Sequence, residues 1–295
     1  MSPKLRIQLS SNKVYHPGST VTGSLLLDVD EAKSYKQILV QLSGRSYVHW
    51  RESSGQSSRN CISLEPYFDS VAPLWDSRQS PDGKLPPGQY NWPFSFVIPP
   101  SVPSSFEGKF GNIRYMLVGR IVTGALKYNH DVMALIPVQQ LVQITDPRLL
   151  QPVRTEVQKT VGFLFSTSQP IIMSVAVPKT GFFIGESFQL HISLENGSKR
   201  RVSLTATLKE YVTFAASGSS RKISRSLYAI RTNRVERQQT EHLDKTIMVP
   251  LTDVDIVHKS SCRNIRVIYC IKVTCHIPRA FNLSTTIPLE LANCR

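Results

Sequence analysis

The sequence predicts an all-β chain of two tandem antiparallel β-sandwiches, and three observations carry that expectation. Apolar and polar residues alternate with period two in stretches of strand length. Nineteen prolines and fifteen glycines cut the chain into such stretches. The second half repeats the first in order. At 295 residues the chain is also longer than most single cores, so two domains of about 100 to 200 residues are expected.

Leu5, Ile7 and Leu9 alternate at the start, and Tyr15-His16-Pro17-Gly18 makes a turn before a strand over residues 21–29. The stretch 37–44 is the next strand, continued by 45–50, and the serine-rich stretches 51–61 and 77–84 read as polar loops. Phe94, Phe96 and Ile98 then form the buried side of a strand that Pro99 and Pro100 stop, because proline cannot donate to a ladder. After a loop, Ile113, Tyr115 and Leu117 mark the face of a second strand that runs on to residue 123, and 133–142 is a further strand. Two prolines around Thr145-Asp146-Pro147 in a polar setting look like an interdomain connection. The boundaries are therefore placed at 1–147 and 148–295. Residues 154–165 are the nearest approach to a helix, but their Thr and Val content suits a strand better.

The repeat pairs Tyr15-His16-Pro17-Gly18 with Phe182-Phe183-Ile184-Gly185, each followed by an alternating strand. It pairs residues 37–48 with 202–212, and Ile98-Pro99-Pro100 with Val249-Pro250-Leu251, and in each half the proline stop leads through a loop to a late strand holding Tyr115 or Tyr269. Asn196-Gly197 reads as a hairpin turn within 194–202, and residues 217–225 as the next turn.

Five cysteines, an odd number without an export signal, point to reduced thiols, and no apolar run approaches the roughly 18 residues of a membrane helix. A cytosolic chain is expected, and it would leave the Asn196 and Asn282 sequons unused. The formal charge of +14 favours polyanions: nucleic acid, an anionic membrane leaflet, or acidic and phosphorylated protein tails. No phosphate-cradling glycine loop, nucleophile elbow or His-Glu-x-x-His pattern occurs, so no catalytic site, metal site or cofactor is expected. Cys270 and Cys275 are five apart on one strand and point to opposite faces, which suits structural thiols better than a metal pair. Tyr15, Phe94, Phe96, Tyr115, Phe188 and Tyr269 alternate at strand spacing and belong to cores, leaving no stacking platforms for nucleic acid.

Three blocks resemble the arrestin superfamily, and within it the arrestin-domain-containing proteins, or α-arrestins: Val14 through Gly23, Leu85 through Tyr115, and Thr180 through Glu186 together with Ile265 through Val273. The resemblance implies immunoglobulin-like arrestin sandwiches whose concave faces dock cargo. It implies a non-enzymatic cytosolic adaptor that associates peripherally with plasma membrane or endosomes and links membrane-protein cargo to endocytosis. α-Arrestins engage HECT-type ubiquitin ligases through Pro-Pro-x-Tyr motifs in a tail. Here Pro86-Pro87-Gly88-Gln89-Tyr90 has one residue too many, and such a tail is absent from these 295 residues. A retromer-like arrestin-fold subunit of an endosomal coat is the alternative on the same fold. The region 217–245 has no cysteine, so thioredoxin binding is not expected.

Two basic groups are candidates for binding acidic cargo, phosphate or anionic lipid. One is Lys199, Arg200, Arg201, Arg221, Lys222, Arg225, Arg231 and Arg234, because Arg offers a planar fork of donors that matches an oxyanion. The other is Lys4, Arg6, Arg114 and Arg120, which point away from the first core and are expected to line a concave face.

Overall fold

The two glycine turns each seat the strand that follows. In the computed structural model, which describes residues 4–11, 13–55, 57–124, 129–161, 169–252, 254–257 and 261–294, Gly18 and Gly185 have φ of 85° and 79°. That is left-handed backbone, which glycine enters without the Cβ penalty. Gly18 N–H donates to Ile98 O at 2.9 Å, and Ile98 N–H donates back to Ser19 O at 2.9 Å. Gly185 N–H donates to Val249 O at 3.0 Å, and Val249 N–H to Glu186 O at 2.9 Å. The repeat seen in the sequence thus extends to individual hydrogen bonds.

Contacts divide the chain into two units: Met1–Gln140 with Phe214–Arg221 and Val257–Arg266, and Leu141–Thr213 with Lys222–Ile256 and Val267–Arg295. In the first, strands β1 (Lys4–Leu9), β2 (Thr20–Val29), β3 (Gln37–Ser54), β4 (Ser57–Asp76), β5 (Gly88–Val97), β6 (Phe106–Gly108), β7 (Gly111–Val122) and β8 (His130–Leu135) form two sheets. The smaller has the order β1-β2-β5, and the larger β4-β3-β7-β6 with β8 also on β7. The named pairs among them are antiparallel. Leu25, Leu27, Ile38, Val40, Leu42, Tyr115 and Leu117 lie in the core between the sheets.

Gly44 illustrates how tightly the larger sheet packs. A Cβ there would lie 2.6 Å from the Tyr115 ring and 2.7 Å from Phe68, whose rings cover it. Tyr115 in turn donates its hydroxyl to Pro103 O at 2.6 Å.

The second unit holds β9 (Val153–Lys159), β10 (Ile171–Val177), β11 (Gly181–Phe183) and β12 (Ser187–Asn196). It also holds most of β13 (Val202–Ala216), β14 (Ser219–Val235) and β16 (Ile265–His276), and all of β15 (Gln239–Met248) and β17 (Leu283–Ala292). Their sheet orders are β15-β12-β10-β9 and β11-β17-β16-β13-β14, with β11 parallel to β17. Phe182 of one sheet and Phe188 of the other stack at 4.2 Å between ring centroids, with Phe182 fully buried.

Four expectations change. Residues 51–61 are not a loop but the end of the β3–β4 ribbon, with Trp50 opposite Cys61 and Glu52 opposite Arg59, turning at Gly55. A cross-strand ion pair and the buried Trp50 and Cys61 hold a segment whose serines suggested mobility. Residues 194–202 are not a hairpin, because β12 and β13 lie in different sheets. Buried Asn196 closes an arch between them, its amide donating to Arg200 O at 2.8 Å and Glu236 O at 2.7 Å. The turn placed at 217–225 shrinks to Ser217-Gly218, so Arg221, Lys222 and Arg225 sit on β14 itself. The strand expected over 133–142 is shorter and starts earlier, as β8, and Val138 makes an isolated bridge to Tyr15. Of the segment 154–165, residues up to Lys159 are strand, and 162–165 lie outside the described residues.

Cys61, Cys262, Cys270 and Cys275 are buried and unbridged, while Cys294 is partly exposed. Burial pushes the Cys275 thiol up to about 12. On addition of a thiol-alkylating reagent at neutral pH, intact-mass measurement is expected to show one fast adduct, at Cys294, and four slow ones. Replacing Phe182 by Ala is expected to cost about 3–5 kcal/mol, read from urea unfolding of the second unit, because it opens a cavity where the two sheets meet.

Candidate functional site

The structure redistributes the cations that the sequence grouped. Residues 141–295 carry twenty-one Lys and Arg against eleven Asp and Glu, compared with fourteen against ten in residues 1–140, so the excess charge is concentrated in the second half. Much of it is already neutralised. Arg225 donates to the Glu210 carboxylate through both Nε and Nη2, and Nη2 also reaches Asp255 at 3.2 Å. Glu210 faces the core and is only 3% exposed, and it accepts a hydrogen bond from Tyr269 Oη at 2.8 Å. Burial first, then the Glu210 charge, drives the Tyr269 phenol strongly upward, so it stays a donor. An unpaired carboxylate there would be costly, and the guanidinium bonded to it is what makes Glu210 tolerable. Arg225 therefore serves structure.

Arg221 lies in the first unit, 3.7 Å from Glu52, which also takes a 3.0 Å bond from Trp50 Nε1 and pairs with Arg59. Arg201 pairs with Glu236 at 2.8 Å. Of the remaining predicted residues, Arg200 donates to Pro278 O, and Lys199, Arg231 and Arg234 are exposed at the surface.

Two arrangements stand out. Arg201 and Arg234 line one shallow depression together with Ser203, His276 and Asn282. Asn282 Oδ1 accepts from Ile277 N–H, which orients its NH2 group toward His276 Nδ1 at 3.3 Å and leaves His276 Nε2 to donate to Thr205 at 2.9 Å. The ring is thus held between Asn282 and Thr205, in a depression that two arginines also line.

The second arrangement is the outer face of the five-stranded sheet. Alternation on β13 and β16 turns Leu208, Glu210, Tyr269 and Ile271 inward, so Lys209 and Lys272 point outward. Lys222 of β14 lies over the Tyr211 ring at 4.2 Å from its centroid. The three ammonium groups act together on Cys270: burial raises its thiol, and Lys209, Lys222 and Lys272 pull it down. β14 and β16 contain no Asp or Glu, and the single acid of β13 is the inward Glu210. The sequence reading included Lys222 but missed Lys209 and Lys272, which stand singly among Thr, Leu and Ile. Only their odd-position spacing from the core residues of each strand carried a signal.

The first-unit set is not brought together. Lys4 and Arg6 lie on the outside of the β1-β2-β5 sheet, and Arg114 and Arg120 on the outside of the other sheet. Arg6, Arg114 and Arg120 each have a carboxylate partner, Asp28, Glu107 and Asp131. Two sheets packed face to face send such side chains in opposite directions, so these four do not form one concave basic surface. Among the described residues no group of three or more His, Cys, Asp or Glu is placed to hold a metal, and no helix is long and apolar enough to cross a membrane.

The tandem sandwiches with their repeated glycine turns match two family models: the arrestin (or S-antigen) N-terminal domain over residues 5–144 and the arrestin C-terminal domain over residues 167–295. The chain belongs to the arrestin-domain-containing family, the α-arrestins. It is 29% identical to human arrestin domain-containing protein 4 over 286 residues, covering 94% of this chain and 68% of that protein. The mouse protein of the same name is also 29% identical, and rat arrestin domain-containing protein 1 is 25% identical over 296 residues, 97% of this chain and 63% of the relative. In this α-arrestin the lysine-bearing face of β13, β14 and β16 belongs to the C-terminal arrestin domain, with Glu290 as the outward acid of the neighbouring β17.

Glu52 gives the arrestin fold here a pH signature. Hydrogen bonds from Trp50 and then Arg59 hold its carboxyl at about 2 instead of near 4.5. A group whose folded value is depressed contributes fully above its unfolded value, and the contribution disappears as pH falls through the folded value. Thermal scans between pH 5 and pH 2 are expected to show the Glu52→Gln variant losing less melting temperature across this window than the parent chain.

Proposed function

We propose that this α-arrestin is a non-enzymatic adaptor whose C-terminal arrestin domain docks acidic segments of membrane-protein cargo. The observation that carries the reading is the outer face of β13, β14 and β16, on which Lys209, Lys222 and Lys272 converge with no carboxylate paired to them among the described residues. Cations that a fold leaves without carboxylates are available to an external anion, whereas Arg225, Arg114 and Arg120 are already paired. Complementary charge of this kind speeds encounter and selects partners more than it adds raw affinity. The depression on the same domain adds exposed Arg234, while Arg201 on its lining is already paired with Glu236.

In this reading the adaptor works peripherally at the cytoplasmic side of the plasma membrane or endosomes. There it presents bound cargo to the ubiquitination machinery, with a HECT-type ligase as partner, and to endocytic sorting. The relatives in which two thirds of the length matches this chain carry the name arrestin domain-containing protein, which supports an adaptor family and leaves the cargo to experiment.

Affinity recovery from detergent-solubilised membranes tests the proposal. The chain is expected to retain a set of membrane proteins that the triple variant Lys209→Glu, Lys222→Glu, Lys272→Glu loses at least tenfold, with an unchanged melting temperature. Equal recovery by a folded triple variant would show that cargo binds elsewhere.

A further inference from the structure

β14 is the last strand of its sheet, hydrogen-bonded to β13 on one side and to no other strand on the other among the described residues. It is long, seventeen residues from Ser219 to Val235, of which residues 222–235 lie in the second unit. At about 3.3 Å per residue this is a free edge of roughly 45 Å, more than twice the length of an ordinary partner strand. Such an edge is a template for pairing unless it is guarded.

The guards are of one sign. β14 contains Arg221, Lys222, Arg225, Arg231 and Arg234 and no Asp or Glu. Arg225 is engaged by Glu210 and Asp255. Lys222 lies toward one end of the edge, and exposed Arg231 and Arg234 toward the other. Between them Ser226-Leu227-Tyr228-Ala229-Ile230 is uncharged, with the aromatic and β-branched residues that favour strand pairing. A second copy of β14 laid on this edge would bring cation against cation. The same charges that exclude like-charged or identical strands select an acidic one.

We infer that the free edge of β14 accepts an acidic, extended segment of a partner protein as an added strand, its backbone pairing along residues 226–230 and its terminal carboxylates meeting Lys222, Arg231 and Arg234. The inference rests on the reading that the C-terminal arrestin domain docks acidic segments, and it specifies the mode: main-chain hydrogen bonds supply affinity, and the flanking cations supply specificity. The uncharged centre requires apolar or β-branched residues in the middle of the incoming segment, so a purely acidic run is disfavoured.

The test uses the whole chain and a fluorescein-labelled peptide, Glu-Glu-Val-Thr-Val-Thr-Val-Glu-Glu, beside the same peptide N-methylated at each of its five central residues. The methylated form keeps every charge and loses the central amide donors of both edges. Fluorescence anisotropy is expected to show binding of the first peptide and at least tenfold weaker binding of the second. A further tenfold loss is expected for the Arg231→Glu, Arg234→Glu variant at unchanged melting temperature. Hydrogen exchange with peptide bound is expected to show new protection at alternate amides within 226–230. Equal affinity for the two peptides, or binding without protection there, overturns strand addition and leaves the acidic docking surface standing. Binding of neither peptide overturns both.

Discussion

A reciprocal pair of hydrogen bonds between a glycine turn and a proline-stopped strand is the constraint on which each sandwich depends. In the first unit it joins Gly18 and Ser19 to Ile98, and in the second Gly185 and Glu186 to Val249. Each pair sets the register of the ladder that continues from it, Thr20 opposite Val97 in one case and Ser187 opposite Met248 in the other. Because side chains alternate along a strand, a slip of one residue would turn every buried position of these strands to solvent. Pro99 and Pro250 follow directly, lack the donor to extend the ladder, and release the chain to cross to the opposite sheet. The late strands holding Tyr115 and Tyr269 are reached only after that release.

Charge is used for two purposes in the same fold. Where a carboxylate is buried or a ribbon end stands in water, arginine is committed to it: Arg225 to Glu210, Arg59 and Arg221 to Glu52, Arg263 to Glu65. The planar fork suits these bidentate or shared contacts. Among the described residues Lys209, Lys222 and Lys272 have no such duty. Lys209 and Lys272 rise from positions between core residues on their strands, and Lys222 of β14 rests on Tyr211. The cations that remain available to a partner are therefore these lysines together with exposed Arg231 and Arg234 of β14, although paired arginines dominated the basic clusters of the sequence.

Strands with clean alternation were legible: β1, β2, β5, β7, β12, β13 and β16 all follow from apolar residues two apart. The buried tyrosines and phenylalanines followed with them. The distal β3–β4 ribbon was not, because Ser53, Ser57 and Ser58 have the composition of a loop, and what holds them extended is a partner strand and the Glu52–Arg59 pair. Asn196-Gly197 was misread for a related reason. An Asn-Gly step is the local signature of a hairpin, but here the Asn amide is buried and bonds to carbonyls of two separate segments, which makes an arch.

The sequence by itself determined the all-β class, the internal repeat and the family, since these depend on period-two patterning and on turn residues whose backbone needs are local. Only the tertiary structure decided which cations meet. Arg114 and Lys4 are both outward on their strands yet belong to different sheets, while Lys209, Lys222 and Lys272, from three strands and up to sixty-three positions apart, share one face. Face membership depends on the register between strands distant in the chain, and no local window of sequence contains it.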